Sequence, residues 1–160
     1  MVLAFRPLDQ QDLPLLIDAT VDNVNWDGIV RFTVDDVLAE SRLSQYATGF
    51  IPGRDWGFVA YESDDIVGLG WVQYFSATSP GYGFVDSDTP ELSINVHQQW
   101  RGKGVGSQLL ELIVNRAQDL GCRSISLSVE DGNPARRLYE KFGFISIGRE
   151  GNSETMVRVI

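Results

Sequence analysis

The residues best suited to chemistry lie in one stretch of the second half. Glu91-Leu92-Ser93-Ile94-Asn95-Val96 alternates polar and apolar side chains with the period of a strand. It runs through His97 into Arg101-Gly102-Lys103-Gly104-Val105-Gly106-Ser107, followed by a helical pattern. Closely spaced glycines between a strand and a helix make an anion site. Exposed backbone N–H groups and the positive helix end point at the turn, and glycine lets a ligand approach closely. Spacing narrows the ligand. A nucleoside-triphosphate loop needs Ser or Thr directly after its lysine, and Gly104 follows Lys103. A dinucleotide fingerprint counted from Gly102 has Ser107 where its last glycine belongs, with no following βαβ unit to carry the expected acid. The pattern Arg/Gln-x-x-Gly-x-Gly/Ala is satisfied in full by Arg101 to Gly106.

A second motif stands downstream, Asn133-Pro134-Ala135-Arg136-Arg137-Leu138-Tyr139-Glu140-Lys141-Phe142-Gly143-Phe144. Together, the run from Glu91 to Leu110 and this segment resemble the cofactor core of the GNAT superfamily of acyl-CoA-dependent N-acetyltransferases. The resemblance covers residues 91–147 and is only architectural before them. It implies acetyl-CoA as co-substrate. Backbone N–H groups of Arg101, Gly102, Lys103, Gly104, Val105, Gly106 and Ser107 are expected to hold the pyrophosphate. Asn133 and the strand backbone across Ile94, Asn95 and Val96 are expected along the pantetheine arm. The plain alternatives are a solvated basic turn for Arg101 and Lys103, and a helix cap for Asn133.

Acetyl transfer from a thioester to an amine needs a deprotonated nucleophile, donors for the oxyanion and a proton for the departing thiolate. An alkyl ammonium has a pKa of about 10.4, so a base or a water relayed to one must act. Within the resemblance Glu91 takes that role; otherwise it is a half-exposed strand-end carboxylate. His97 is a rival by its imidazole, but along an extended strand it lies about 20 Å from Glu91, beside the glycine turn. Asp86 and Asp88 could act through water. Tyr139 matches the family's general-acid tyrosine, and its helical stripe also suits a core aromatic. The oxyanion is expected to take a backbone N–H near Val96. Cys122 is the only cysteine and His97 the only histidine, so a Ser-His-Asp triad or a zinc site would have to run through His97, and no metal is implied; no base is evident beside Cys122, and direct transfer is the simpler mechanism.

The elements that must position these groups can be traced along the chain. Leu3 to Pro7 reads as a strand, and Asp9 caps a helix carrying Leu13, Leu16 and Ile17. Thr33-Val34-Asp35-Asp36 resembles a capping box opening one second helix with Val37, Leu38 and Leu43. Strands over Trp56 to Glu62 and Ile66 to Phe75 flank the turn Ser63-Asp64-Asp65, and Ser76 to Asp88 reads as a mobile acidic loop. After the glycine turn, Val105, Leu109, Leu112, Ile113, Ala117 and Leu120 mark a helix ending at Gly121. A strand at Ile125 to Val129, a helix from Pro134 to Phe142, and strands over Phe144 to Arg149 and Glu154 to Ile160 complete the chain. The expected fold is α+β: one domain over residues 1–160, with a mixed, mostly antiparallel sheet flanked by helices.

With 160 residues, 43% of them hydrophobic, the chain can build one sizeable core. No membrane span and no leader are legible, which predicts a cytoplasmic protein, monomeric or homodimeric. A net charge of −9 argues against nucleic acid. Residues 1–90 hold fourteen Asp and Glu against four Arg, whereas residues 91–160 hold eight against nine Lys and Arg. The acidic half suggests a cationic small-molecule amine as acceptor, with Trp26, Trp56, Tyr74 and Tyr82 as pocket candidates, the middle two better suited to the core. Acetylation of a protein N-terminus or lysine, and an inactive CoA-binding sensor, are the alternatives.

Overall fold

The computed structural model describes residues 2–160. Seven strands form one sheet in the order β1-β2-β3-β4-β5-β7-β6. They span Leu3–Pro7 (β1), Trp56–Glu62 (β2), Asp65–Gln73 (β3), Glu91–Val96 (β4), Ser124–Glu130 (β5), Ile145–Glu150 (β6) and Ser153–Val159 (β7). Every neighbouring pair is antiparallel except β4 with β5. The α+β architecture expected from the pattern is therefore present, with one parallel pair making the sheet mixed.

The helices are α1 (Leu13–Val24), α2 (Val34–Ala39), α3 (Ser41–Thr48), α4 (Val105–Asp119) and α5 (Ala135–Lys141). Asp9 caps a 3-10 turn that leads into α1, and Thr33 and Asp36 close the capping box before α2. The single second helix expected from sequence is broken in two at Glu40. Its backbone is extended there, and its carboxylate accepts from Arg42 N, so Glu40 ends α2 and caps α3. Leu38, expected on the apolar stripe, is consequently exposed, as is Leu120 at the end of α4.

Apolar side chains cover both faces of the sheet. On one face α4 buries Leu110, Ile113, Val114 and Ala117 against Val72, Leu92, Ile125, Leu127 and Met156. On the other, Leu16 and Ala19 of α1 and Ala47 of α3 pack with Val59, Leu69 and Trp71. Burial of each large aliphatic side chain contributes about 1.5–3 kcal/mol, so these two layers fix where β4 stands between α1 and α4.

β4 and β5 meet at one registered pair, Glu91 with Ser126, while β3 follows β4 through six. Beyond Glu91 the two parallel strands diverge, and the sheet is split at its centre.

Candidate active site

The split sets the geometry of the site. Ser126 N donates to Pro90 O at 3.0 Å, and His97 N donates to Val67 O at 2.9 Å. Pro90 thus faces β5 and His97 faces β3. Because backbone polar groups alternate along a strand, Ile94 and Val96 turn theirs into the gap, and Asn95 turns its own toward β3. A cleft of about 1260 Å³ opens here, lined by β4, the glycine turn, the end of β5 and α5 on one side and by α1 and α3 on the other.

At the mouth of the cleft Gly104 has φ 88°, a left-handed conformation that places it as the residue before α4 and aims the first amides of α4 outward. Gly106 is tight against the neighbouring helix: a Cβ there would lie 3.1 Å from Leu138 Cδ2. Arg101, Gly102, Gly104, Gly106 and Ser107 line the cleft, together with Asn133, Leu138 and Tyr139. Val105 is buried in the core, leaving only its backbone for a ligand. Lys103 lies outside the lining, with its Nζ 5.1 Å from the Trp100 ring centre. The cradle of amides and the slot beside β4 fit a pyrophosphate attached to an extended arm.

Two expected backbone contacts are already engaged by the protein: Arg101 N donates to Gln98 O at 3.3 Å, and the Asn95 backbone faces β3. Both side chains are engaged as well. Arg101 Nε donates to Val96 O at 3.0 Å, and its Nη2 donates to Asp22 at 3.0 Å. The Asn95 amide donates to Asp22 at 2.6 Å and to Asn23 at 3.1 Å. Asn95 therefore ties β4 to α1, and its side chain is taken up by that tie. Asn133 caps α5 through its Oδ1, which accepts from Ala135 N at 3.0 Å.

Glu91 is buried at the closed end of the split, only 3% exposed, which is unlike the half-exposed strand end that the sequence allows. Burial pushes its carboxyl up to about 7. That rise is moderated by two donors and one distant cation: the Tyr46 hydroxyl on Oε2, Gly83 N on Oε1 at 3.0 Å, and Arg42. The Tyr46 hydroxyl in turn accepts from Tyr82 N at 2.7 Å. A carboxylate in this state is half ionised near neutrality, the condition a general base needs.

Tyr139 stands on α5 facing the same cleft, edge-on to Phe144 with ring centres 6.0 Å apart. Burial pushes its hydroxyl up to about 12, which keeps it protonated and able to donate. His97 is exposed and, with Asp86 and Asp88, lies outside the cleft lining. Of the aromatic candidates, Trp26 and Tyr82 line the cleft and Trp56 and Tyr74 do not.

Sequence reasoning missed Tyr46, Gly83 and Arg42. Tyr46 falls on the apolar stripe of α3 with Leu43 and Ala47, so it reads as core. The loop of residues 76–88 reads as mobile, yet its centre is packed inside. A Cβ at Gly81 would lie 2.4 Å from Glu91 Oε1, and one at Gly83 would lie 2.6 Å from the Leu127 carbonyl carbon. The spacing Gly81-Tyr82-Gly83 is the available signal, because glycines flanking an aromatic mark close backbone approach.

A central sheet that parts beside an amide cradle, with a carboxyl group buried where the strands meet, suits acyl transfer from coenzyme A. The chain belongs to the acetyltransferase (GNAT) family, whose model matches residues 31–144, and it is an N-acetyltransferase. A Bacillus subtilis (strain 168) protein, YwnH, whose name proposes a phosphinothricin acetyltransferase, is 43% identical over 148 residues, 91% of this chain and 86% of that one. An L-methionine sulfoximine/L-methionine sulfone acetyltransferase of Pseudomonas aeruginosa is 34% identical over 91 residues, 55% of this chain and 51% of that protein. Among solved structures, the PaiA N-acetyltransferase of Thermoplasma acidophilum in complex with coenzyme A shares the fold, with a TM-score of 0.72, 16% identity and full coverage of both chains.

Among the described residues, no helix is long and apolar enough to cross a membrane. No group of three or more His, Cys, Asp and Glu side chains there is disposed to hold a metal ion.

Proposed function

We propose that this chain acetylates the amino group of a small amino-acid-like acceptor by direct transfer from acetyl-CoA, with Glu91 as base and Tyr139 as acid. In this reading Glu91 takes a proton from the acceptor's ammonium, and the freed nitrogen bonds to the acyl carbon. The C–S bond breaks, Tyr139 gives its proton to the departing sulfur, and the tyrosinate takes up the second proton that the nitrogen sheds as it becomes an amide. The first amides of α4, with Gly102, Gly104, Gly106 and Ser107, hold the pyrophosphate. The gap-facing backbone of Ile94 and Val96 receives the pantetheine arm, and a β4 amide near Val96 receives the oxyanion. Arg101 helps by fixing the end of β4.

The observation that carries this reading is the state of Glu91: buried, held by two donors, and titrating near neutrality inside the cleft. The size of the acceptor follows from two bridges across the acceptor side. Trp26 Nε1 donates to Glu130 at 2.9 Å, and Arg42 pairs with Glu150 at 2.7 Å. Closed on both sides, the vestibule favours a small molecule over a peptide. Around it Asp27 pairs with Arg31, Glu150 with Arg42 and Asp131 with Arg149, which leaves Glu130, among the described residues, as the anion without a cationic partner and favours an ammonium group. The names of the Bacillus and Pseudomonas relatives both point to amino-acid analogues.

Thiol release from acetyl-CoA across α-amino acids, polyamines and short peptides tests the proposal. Turnover is expected with amino acids or their analogues. Preferential turnover of peptides would move the assignment to protein acetylation, and coenzyme A binding without any turnover would favour a sensor.

A further inference from the structure

Glu91 is held in place by a loop, and two side chains of α3 outside the reacting groups hold that loop: Gln45, which donates to Pro80 O at 3.0 Å and accepts from the Ser79 hydroxyl at 2.9 Å, and Arg42, which reaches the part nearest Glu91. Arg42, on α3, pairs in a bidentate manner with Glu150 at the end of β6, at 2.9 and 2.7 Å. Its Nη2 also reaches Gly81 O at 3.3 Å, and its guanidinium lies 4.0 Å from the centre of the Tyr82 ring. Tyr82 stacks on Tyr46, with planes 10° apart and centres 6.4 Å apart. One guanidinium therefore touches the residues on both sides of Tyr82 N, which bonds Tyr46, and lies one residue from Gly83 N, which bonds Glu91.

We propose that Arg42 is a positioning residue for acetyl transfer: by clamping residues 81–83 between α3 and the end of β6, it holds the Gly83 amide and the Tyr46 hydroxyl on the Glu91 carboxylate. The proposal rests on Glu91 being the base. An arginine suits the task better than a lysine, since only the planar fork can serve a carboxylate bidentately while stacking on a ring. The clamp ties elements 108 residues apart in sequence, and Glu150 is half exposed, so the pair is not required to fill the core.

The groups around Glu91 define what a loosened loop would do. From α3 come Tyr46 and Arg42, and from the loop come the Gly83 amide and Tyr82. Its sheet neighbours in register, Gln73 and Ser126, are neutral. Both donors and the arginine favour the carboxylate form, so withdrawing any of them raises the pH at which Glu91 ionises.

The test is the acid limb of kcat/KM against pH for Arg42→Met, Glu150→Gln and Glu91→Gln, with the KM for acetyl-CoA and the melting temperature measured alongside. Arg42→Met is expected to move the limb up by about one pH unit, lowering kcat/KM at pH 7 about fivefold, with the acetyl-CoA KM unchanged. An unmoved limb in a variant that melts like the parent would overturn the proposal.

Glu150→Gln separates clamping from charge and serves even where Arg42→Met fails to fold. Removing an anion from the vicinity should lower the limb by electrostatics, whereas releasing the clamp should raise it. A rise supports the proposal; a fall or no change overturns it. Glu91→Gln tells the two claims apart. If that variant keeps the acid limb, the base assignment itself fails. If it loses the limb while the other two leave it in place, only the clamp fails.

Discussion

Replacing Glu91 by glutamine removes one ionisation and little volume, and the structure sets two independent consequences. The first is kinetic. With its carboxyl pushed up to about 7, the proposed base is about one-tenth ionised at pH 6 and about nine-tenths at pH 8, so kcat/KM should climb about ninefold between them. An ordinary glutamate near 4.3 would give a flat profile over that range. Glu91→Gln should lose the climb and about 10²–10⁴ of its rate at pH 8.

The second consequence is thermodynamic, and its sign follows from the direction of the shift. A carboxyl whose folded value lies above its unfolded value stabilises the fold below the unfolded value. That contribution is lost as pH rises through about 4.3 to about 7. The separation corresponds to about 3–4 kcal/mol lost by the parent at pH 8.5, as an upper bound, given the full burial of the group. Glutamine carries no charge to desolvate, but it presents one acceptor to two donors. The Tyr46 hydroxyl must then turn from donor to acceptor, which costs about 1 kcal/mol. The variant should therefore melt about 5–10 °C above the parent at pH 8.5 and within a few degrees of it at pH 4, read by circular dichroism. A variant that retains the climb, or that melts below the parent at pH 8.5, would refute the reasoning from burial to base.

Three further outcomes follow from other parts of the site. Tyr139→Phe keeps the edge-on contact with Phe144 and removes only the hydroxyl, so kcat should fall about 10²-fold with coenzyme A affinity unchanged by calorimetry; equal loss of both would make Tyr139 a binding residue. Gly104→Val forces a β-branched residue to φ 88° at the start of α4, which should weaken coenzyme A at least tenfold, and unaltered affinity would remove the amide cradle from the binding site. Trp26→Phe deletes the donor to Glu130 across the vestibule, so the acceptor KM should change severalfold while the acetyl-CoA KM stays constant; a change confined to acetyl-CoA would place Trp26 on the cofactor side.

Several features were legible because they are local. Alternation in Glu91–Val96, the glycine before Val105 and the Asx cap before Ala135 each depend on residues a few positions apart, and strand, turn and helix formed where those signals stand. The capping box at Thr33 was equally readable, whereas the break at Glu40 was not. A helical stripe continues through it, and only the extended backbone of Glu40 shows that the two short helices are capped separately.

The sequence by itself determined the amide cradle before α4, because such a cradle is made by backbone conformation, and backbone conformation is written in glycine spacing. Tertiary structure decided the rest. The gap beside β4 exists because β5 diverges after a single pair. The proton affinity of Glu91 exists because α3 and the loop of residues 81–83 exclude water from it. Desolvation is a property of everything packed around a group, contributed here by residues up to 45 positions away, and no local pattern encodes it.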